Sequence, residues 1–307
     1  MDLGRVHPEL RRAVRRLPRV NVASGVSRVF ARFATRRLLR PARVPGVTIR
    51  DVRDGAARLR LYLPERAAGG ALVWIHGGGM VMGAPRQDDR LCAETAADLG
   101  VVVASADYRM APEHPFPLPQ QDCLAVWSWL LAHARELGVD PGRIAVGGAS
   151  AGAGLAAALC NALRDAGGPQ PAAQWLLYPM LDDRTAARRE LDALEHFVWD
   201  NASNRVGWTA LLLGTGRPGD DGIPAAAAPA RRADLRGLPP AWIGVGDIDL
   251  FHDEDADYAR RLGAAGVPVT LDVVPGAPHG FESIAADAPV VRAALARARA
   301  WLRDALA

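Results

Sequence analysis

The sequence predicts an α/β domain, a mostly parallel central sheet of about eight strands flanked by helices. Three observations carry this. From residue 70 onward, short apolar or β-branched runs alternate regularly with longer helical segments. Several runs, Ala71–Ile75 and Val101–Ala104 among them, are apolar without a break, as strands covered on both faces must be. And with 307 residues, half of them hydrophobic and 23% charged, the chain can bury one large core and still carry an accessory layer.

Taken in order, residues 1–46 read as two helical pieces, Pro8 to Leu17 and Ser24 to Leu39, broken at Pro18 and ended by Pro41 and Pro45. Their apolar positions (Val14, Leu17, Val26, Phe30, Phe33, Leu38 and Leu39) lie between arginines and are expected to dock on the core. From Val47 the period becomes two. Val47–Val52 and Arg58–Leu63 read as a hairpin with Asp54-Gly55 at its turn. After the strands at 71–75 and 101–104 come a helix from Cys123 to Leu137, a strand Ile144–Val146, a helix from Ala151 to Asp165 and a strand Trp175–Tyr178. Residues 186–225 break the rhythm and hold a helix around Asn204 to Leu213. A strand Ala241–Val245, a helix Asp253 to Ala264, a strand Val269–Val274 and a closing helix Pro289 to Leu306 complete the pattern.

Charge is uneven. Residues 1–46 hold twelve arginines against Asp2 and Glu9, a balance of +10 in a chain whose total is +3. All the basic residues are arginine, with no lysine anywhere. The basic arm reads as a cap on the acidic remainder in preference to a nucleic-acid or anionic-lipid binder. No apolar run approaches the roughly 18 residues of a membrane span, and the basic N-terminus is not followed by a hydrophobic signal region. Cys92, Cys123 and Cys160 are odd in number and fall in helical segments, which suits buried free thiols and a cytoplasmic location.

Chemistry centres on Gly148-Ala149-Ser150-Ala151-Gly152, a serine at a sharp turn between a strand and an alanine-rich helix. With seven serines and 31 glycines in the chain, chance predicts roughly 0.07 such matches. Glycines suit a strained turn where strand and helix backbones come close. Of seven histidines, His279 is favoured as the base, because its Gly/Pro-rich loop follows the last strand, at the end of a parallel sheet where reactive groups gather. For the orienting acid, the loop after Val245 offers Asp249, favoured for its reach past the strand end, with Asp247 as runner-up and Asp253 assigned to the next helix. His76-Gly77-Gly78-Gly79 directly follows the strand at 71–75. Gly77 and Gly78 there, and Ala151 after the serine, can turn backbone N–H groups toward a developing oxyanion. Arg109 and Glu113 read as a structural ion pair or turn network. Met80, Val81, Met180, Phe197, Trp199 and Trp208 are candidate pocket residues, each with core packing as its ordinary alternative.

These blocks, together with Asp107–Pro117, Tyr178–Asp182, Asp249–Glu254 and His279-Gly280-Phe281, resemble the hormone-sensitive-lipase family of α/β-hydrolases over roughly residues 70–285. The family usually places an acid or threonine before the serine and a glycine after the turn, where this chain has Ala149 and Ala153. The resemblance implies an α/β-hydrolase fold with a helical cap. Residues 1–46 would be the N-terminal cap segment, 47–185 the first part of the core, 186–225 the cap insertion and 226–307 the second part of the core. It also implies a carboxylesterase acting on short- to medium-chain acyl esters, with no cofactor and no metal. Amidase or lactonase chemistry with the same triad, or a non-catalytic small-ligand-binding member of the fold, are the alternatives. The expected partner is a small-molecule ester; no nucleic acid and no stable membrane insertion are expected, and a homodimer is compatible with the reading.

Overall fold

A computed structural model describes residues 3–17 and 21–307. Strands β1 (Val47–Asp54) and β2 (Ala57–Pro64) form the hairpin, followed by β3 (Ala71–Ile75), β4 (Val102–Ala106), β5 (Ile144–Ala149), β6 (Gln174–Leu177), β7 (Ala241–Gly246) and β8 (Val269–Val274). The helices are α1 (Arg11–Arg16), α2 (Gly25–Phe33), α3 (Asp89–Leu99), α4 (Leu118–Ala132), α5 (Ala151–Ala166), α6 (Asp183–Ala187), α7 (Asn201–Leu211), α8 (His252–Ala264), α9 (Phe281–Ile284) and α10 (Pro289–Ala305).

The eight strands form one sheet in the order β1-β2-β4-β3-β5-β6-β7-β8. β1, β2 and β4 pair antiparallel; every later pairing is parallel. The continuous apolar runs explain the centre: β3, β4 and β5 are buried at every position, whereas edge strand β1 alternates toward solvent. Because β3, β5, β6, β7 and β8 run the same way side by side, the loops that leave their carboxyl ends share one edge of the sheet.

Both faces are covered. One cluster packs Val126, Leu155, Leu159 and Leu262 of α4, α5 and α8 with Trp208 and Leu211 of α7. The other packs α3 and α10 with Val6, Leu10 and Val14 from the N-terminal segment. Burying each of those three side chains contributes about 2 kcal/mol. The segment is also tied by His7 N–H, which donates to Gly276 O at 2.8 Å. Cys92, Cys123 and Cys160 are all buried and free.

Several boundaries differ from those read off the sequence. α4 begins at Leu118, with Pro119 in its first turn where a missing N–H costs nothing, and ends at Ala132. The first N-terminal helix is only Arg11–Arg16, and the break expected at Pro18 lies outside the described residues. α2 runs into a π-helical turn, Ala34–Leu38. Arg109 and Glu113 are not each other's partners: Arg109 grips Asp122 at 2.8 Å, and Glu113 meets Arg32 of α2 at 2.9 Å.

The larger correction concerns α2. Its apolar side, expected to dock on the core, faces solvent, and no residue of the helix is buried. The polar side faces inward because Arg32 donates from Nε to Val81 O (2.8 Å) and from Nη2 to Ala111 O (2.7 Å). Charged donors satisfying two carbonyls and Glu113 outweigh the burial of one apolar stripe.

Candidate active site

Ser150 sits between β5 and α5 with φ +55° and ψ −122°. A side-chain-bearing residue holds this left-handed conformation only when its surroundings over-determine it. Here they do: Ser150 N–H donates to Leu177 O (2.9 Å), while Ser150 O accepts from Met180 N–H (3.1 Å) and Gly154 N–H (3.0 Å). Gly152 is needed for close approach, since a Cβ there would overlap the Ile75 and His76 carbonyl oxygens. The hydroxyl stands at the N-terminus of the sixteen-residue α5.

His279 Nε2 lies 2.8 Å from Ser150 Oγ, and His279 Nδ1 lies 2.9 and 3.2 Å from the two Asp249 oxygens. With Nδ1 facing a carboxylate, the hydrogen-bond pattern assigns the proton to Nδ1 and leaves Nε2 as the acceptor facing the hydroxyl. Phe251 N–H donates to Asp249 Oδ1 at 2.9 Å, fixing the carboxylate in turn. All three side chains are buried. Asp247, the competing acid, is exposed and does not meet the imidazole; its Oδ1 accepts from Gly276 N–H at 2.6 Å, bracing the histidine loop instead. Asp253 lies in the first turn of α8 and contacts His252. This chain of contacts can pass a proton from serine to imidazole while the carboxylate stabilises the imidazolium.

The glycine loop stands beside the serine because β3 is the neighbour of β5, with Ile75 paired to Gly148. Gly78 and Gly79 have φ +121° and +61°. A Cβ on Gly77 would lie 2.9 Å from Ala149 O. On Gly78 it would overlap Met82 O, and on Gly79 the Trp199 ring. His76 explains the loop's orientation. Burial pushes this imidazole down to about 4, so it is neutral, and its Nδ1–H donates to Gly77 O at 2.8 Å. Its ring stacks on Tyr108 at 4.4 Å, whose hydroxyl donates back to His76 O at 3.0 Å. Because the peptide is planar and trans, holding the Gly77 carbonyl turns the Gly78 N–H the opposite way. The N–H groups of Gly77, Gly78 and Ala151 donate to none of the described residues.

Sequence reasoning missed two walls of the imidazole, Tyr178 and Phe251, and named the third, Trp199, as a candidate pocket residue. Tyr178 and Phe251 meet the imidazole edge-on at 4.7 and 5.2 Å, and the Trp199 ring lies 6.3 Å away. Trp199 is placed by a strained turn: its N–H donates to Phe197 O at 2.8 Å across Val198, which has φ +72°. A β-branched residue at positive φ is costly, and such strain gathers at functional sites. Trp199 and Phe197 line a cavity of about 500 Å³ that also touches Met82, Leu191, Val14 and Val22. Of the candidate pocket residues, Phe197 and Trp199 are in that lining; Met80, Val81, Met180 and Trp208 are fully packed in the core. Behind Tyr178, burial raises the carboxyl of Glu282, and it raises that of Asp88 to about 7 even though Trp74 Nε1–H donates to it at 2.7 Å. Among the described residues, no cluster of three or more His, Cys, Asp or Glu is placed to hold a metal ion.

Known proteins of this fold are similar to the chain over most of its length. A family model described as the alpha/beta hydrolase fold matches residues 72–283. Esterase LipI of Mycobacterium tuberculosis is 34% identical over 253 residues, covering 79% of this chain and 75% of its own. Among solved structures, a bacterial heroin esterase superposes with a TM-score of 0.92 at 36% identity, over 100% of both chains. An esterase from the bacterial hormone-sensitive lipase family superposes with a TM-score of 0.81 at 30% identity, over 98% of this chain and 99% of its own.

Proposed function

Because the chain belongs to the hormone-sensitive-lipase family of α/β-hydrolases and is a carboxylic ester hydrolase, we propose that it cleaves short- to medium-chain acyl esters through an acyl-enzyme on Ser150. The observation that carries this reading is the buried line Ser150 Oγ, His279, Asp249, with contacts of 2.8 and 2.9 Å. In it, Ser150 Oγ attacks the ester carbonyl as His279 Nε2 takes its proton, and Asp249 stabilises the imidazolium. The new oxyanion accepts hydrogen bonds from the N–H groups of Gly77, Gly78 and Ala151, one such donor being worth about 100- to 1000-fold in rate. His279 then protonates the leaving alcohol, and a water activated by the same imidazole releases the acid.

Residues 1–46 and 186–225 act as the cap in this reading. Its support is that Val14, Val22, Phe197 and Trp199 line one cavity beside the imidazole. That cavity takes the acyl chain. Three buried free thiols suit a cytoplasmic setting for the enzyme. The test is a series of p-nitrophenyl esters from acetyl to dodecanoyl, run with Ser150→Ala beside the wild type. The expected outcome is turnover that peaks at short or medium chains and vanishes in the variant, whose thermal unfolding is unchanged. Turnover retained by Ser150→Ala would remove the serine from the mechanism.

A further inference from the structure

The outward face of α2 has no role in the hydrolytic reading. Val26, Val29, Phe30 and Phe33 follow the i, i+3, i+4, i+7 spacing that puts them on one stripe, and they are 82, 64, 62 and 53% exposed. Leu38 and Leu39 extend the stripe, at 59 and 41% exposed. The helix cannot roll this stripe inward. Arg32, on the other side, is bonded to Val81 O, Ala111 O and Glu113 of the domain, while Arg28 holds the segment just ahead of the helix at Val22 O and Ala23 O. A contiguous apolar face held outward by charged hydrogen bonds is a surface built to be covered.

Charge identifies what covers it. Residues 21–46 contain six arginines and no acidic residue. Where α2 ends, Arg36, Arg37, Arg53, Arg58, Arg60 and Arg86 line a concavity of about 230 Å³ whose only acids are Asp51 and Asp107. Arg36 is paired with Asp107 and Arg60 with Asp51 and Asp89, but Arg37 and Arg53 pair with none of the described residues. A second copy meeting this face about a two-fold axis would bring two arginine clusters together. A nucleic acid would satisfy the arginines and leave the phenylalanines in water. A phospholipid surface offers both phases. None of the described helices is long and apolar enough to cross a membrane, and the nine-residue α2 fits lying in the interface plane.

We propose that the outward face of α2 docks on an anionic phospholipid surface, with Val26, Val29, Phe30 and Phe33 entering the acyl boundary and Arg37, Arg53 and Arg86 taking headgroup phosphates. The site does not depend on the triad; the inner side of α2 meets the core through Arg32, which donates to Val81 O two residues past the glycine loop.

The test is co-sedimentation of the full chain with phosphatidylcholine vesicles, with and without phosphatidylglycerol, at low and high salt. Binding is expected with phosphatidylglycerol, and it weakens at high salt and without the anionic lipid. Phe30→Ser with Phe33→Ser should reduce it by more than about tenfold. Arg37→Gln and Arg53→Gln should each reduce it by about fivefold. Ser150→Ala should bind as the wild type does, so failed hydrolysis and failed docking are read separately. No binding to either vesicle overturns the proposal. So does a concentration-dependent dimer that Phe30→Ser dissociates in the absence of vesicle binding. Inorganic phosphate bound by the wild type and lost in Arg37→Gln, with vesicle binding indifferent to Phe30→Ser, would make the concavity a soluble-anion site and also overturn it.

Discussion

Two aspartates leave β7 two residues apart, and their surroundings give them different work. Asp249 has a ring nitrogen at 2.9 Å and a backbone N–H at 2.9 Å; Asp247 has the N–H of Gly276 and open water. In the proposed mechanism Asp249→Asn loses the charge that stabilises the imidazolium, and kcat should fall by up to roughly 10⁴-fold. Asp247→Asn keeps an oxygen for Gly276 and should cost less than about tenfold. Steady-state kinetics of the two variants, side by side, checks this, and the reverse ranking would move the acid to 247. Strand order and loop spacing made residues near 249 and 279 readable as neighbours of Ser150. What spacing could not reveal was that Trp199, a pocket candidate eighty positions from His279 in sequence, comes up to the imidazole, because its approach depends on the positive φ of Val198. Valine in such a turn gives no sign of it, whereas a glycine would have.

At the scale of the element, the loop 197–199 lies against both the imidazole, through Trp199, and the cavity. Trimming its indole should enlarge the space available to an acyl chain. Trp199→Ala is therefore expected to shift the best substrate toward longer chains and to lower kcat/KM for acetyl esters by about tenfold, read from the same ester series. An unchanged profile would place the acyl chain elsewhere. The strands were legible because continuous burial leaves a continuous apolar run. α2 was legible only as an amphipathic helix: periodicity reveals that a helix has an apolar face, but the direction of that face was set by Arg32 reaching carbonyls some 50 and 80 residues away. No local pattern records such a contact.

For the whole molecule, the buried carboxyls set a pH response. Burial holds Asp88 protonated up to about 7, against an ordinary value of 3.8. Between those values the folded chain carries a proton the unfolded chain has lost, so stability falls as pH rises through this window and the loss is complete above about 7. Glu254, raised to about 8, and Glu282 act in the same direction. Asp88→Asn still accepts from Trp74 and should remove part of the decline, on the order of 1–3 kcal/mol between pH 4 and 7. Melting temperatures across that range check it, and a slope equal to the wild type's would exclude Asp88 as a source. The overall architecture was the most legible level, since it is the sum of many runs that each read alike. The attachment of the chain's first residues was not. His7 is bonded to Gly276, and a Cβ on Gly276 would meet the His7 backbone at 2.6 Å, so the segment ahead of α1 clasps the loop that carries His279. A protease nick or a deletion ahead of Arg11 would leave the sheet intact and slacken that clasp, making the start of the chain a remote control on turnover for anyone who trims or immobilises the enzyme from that end.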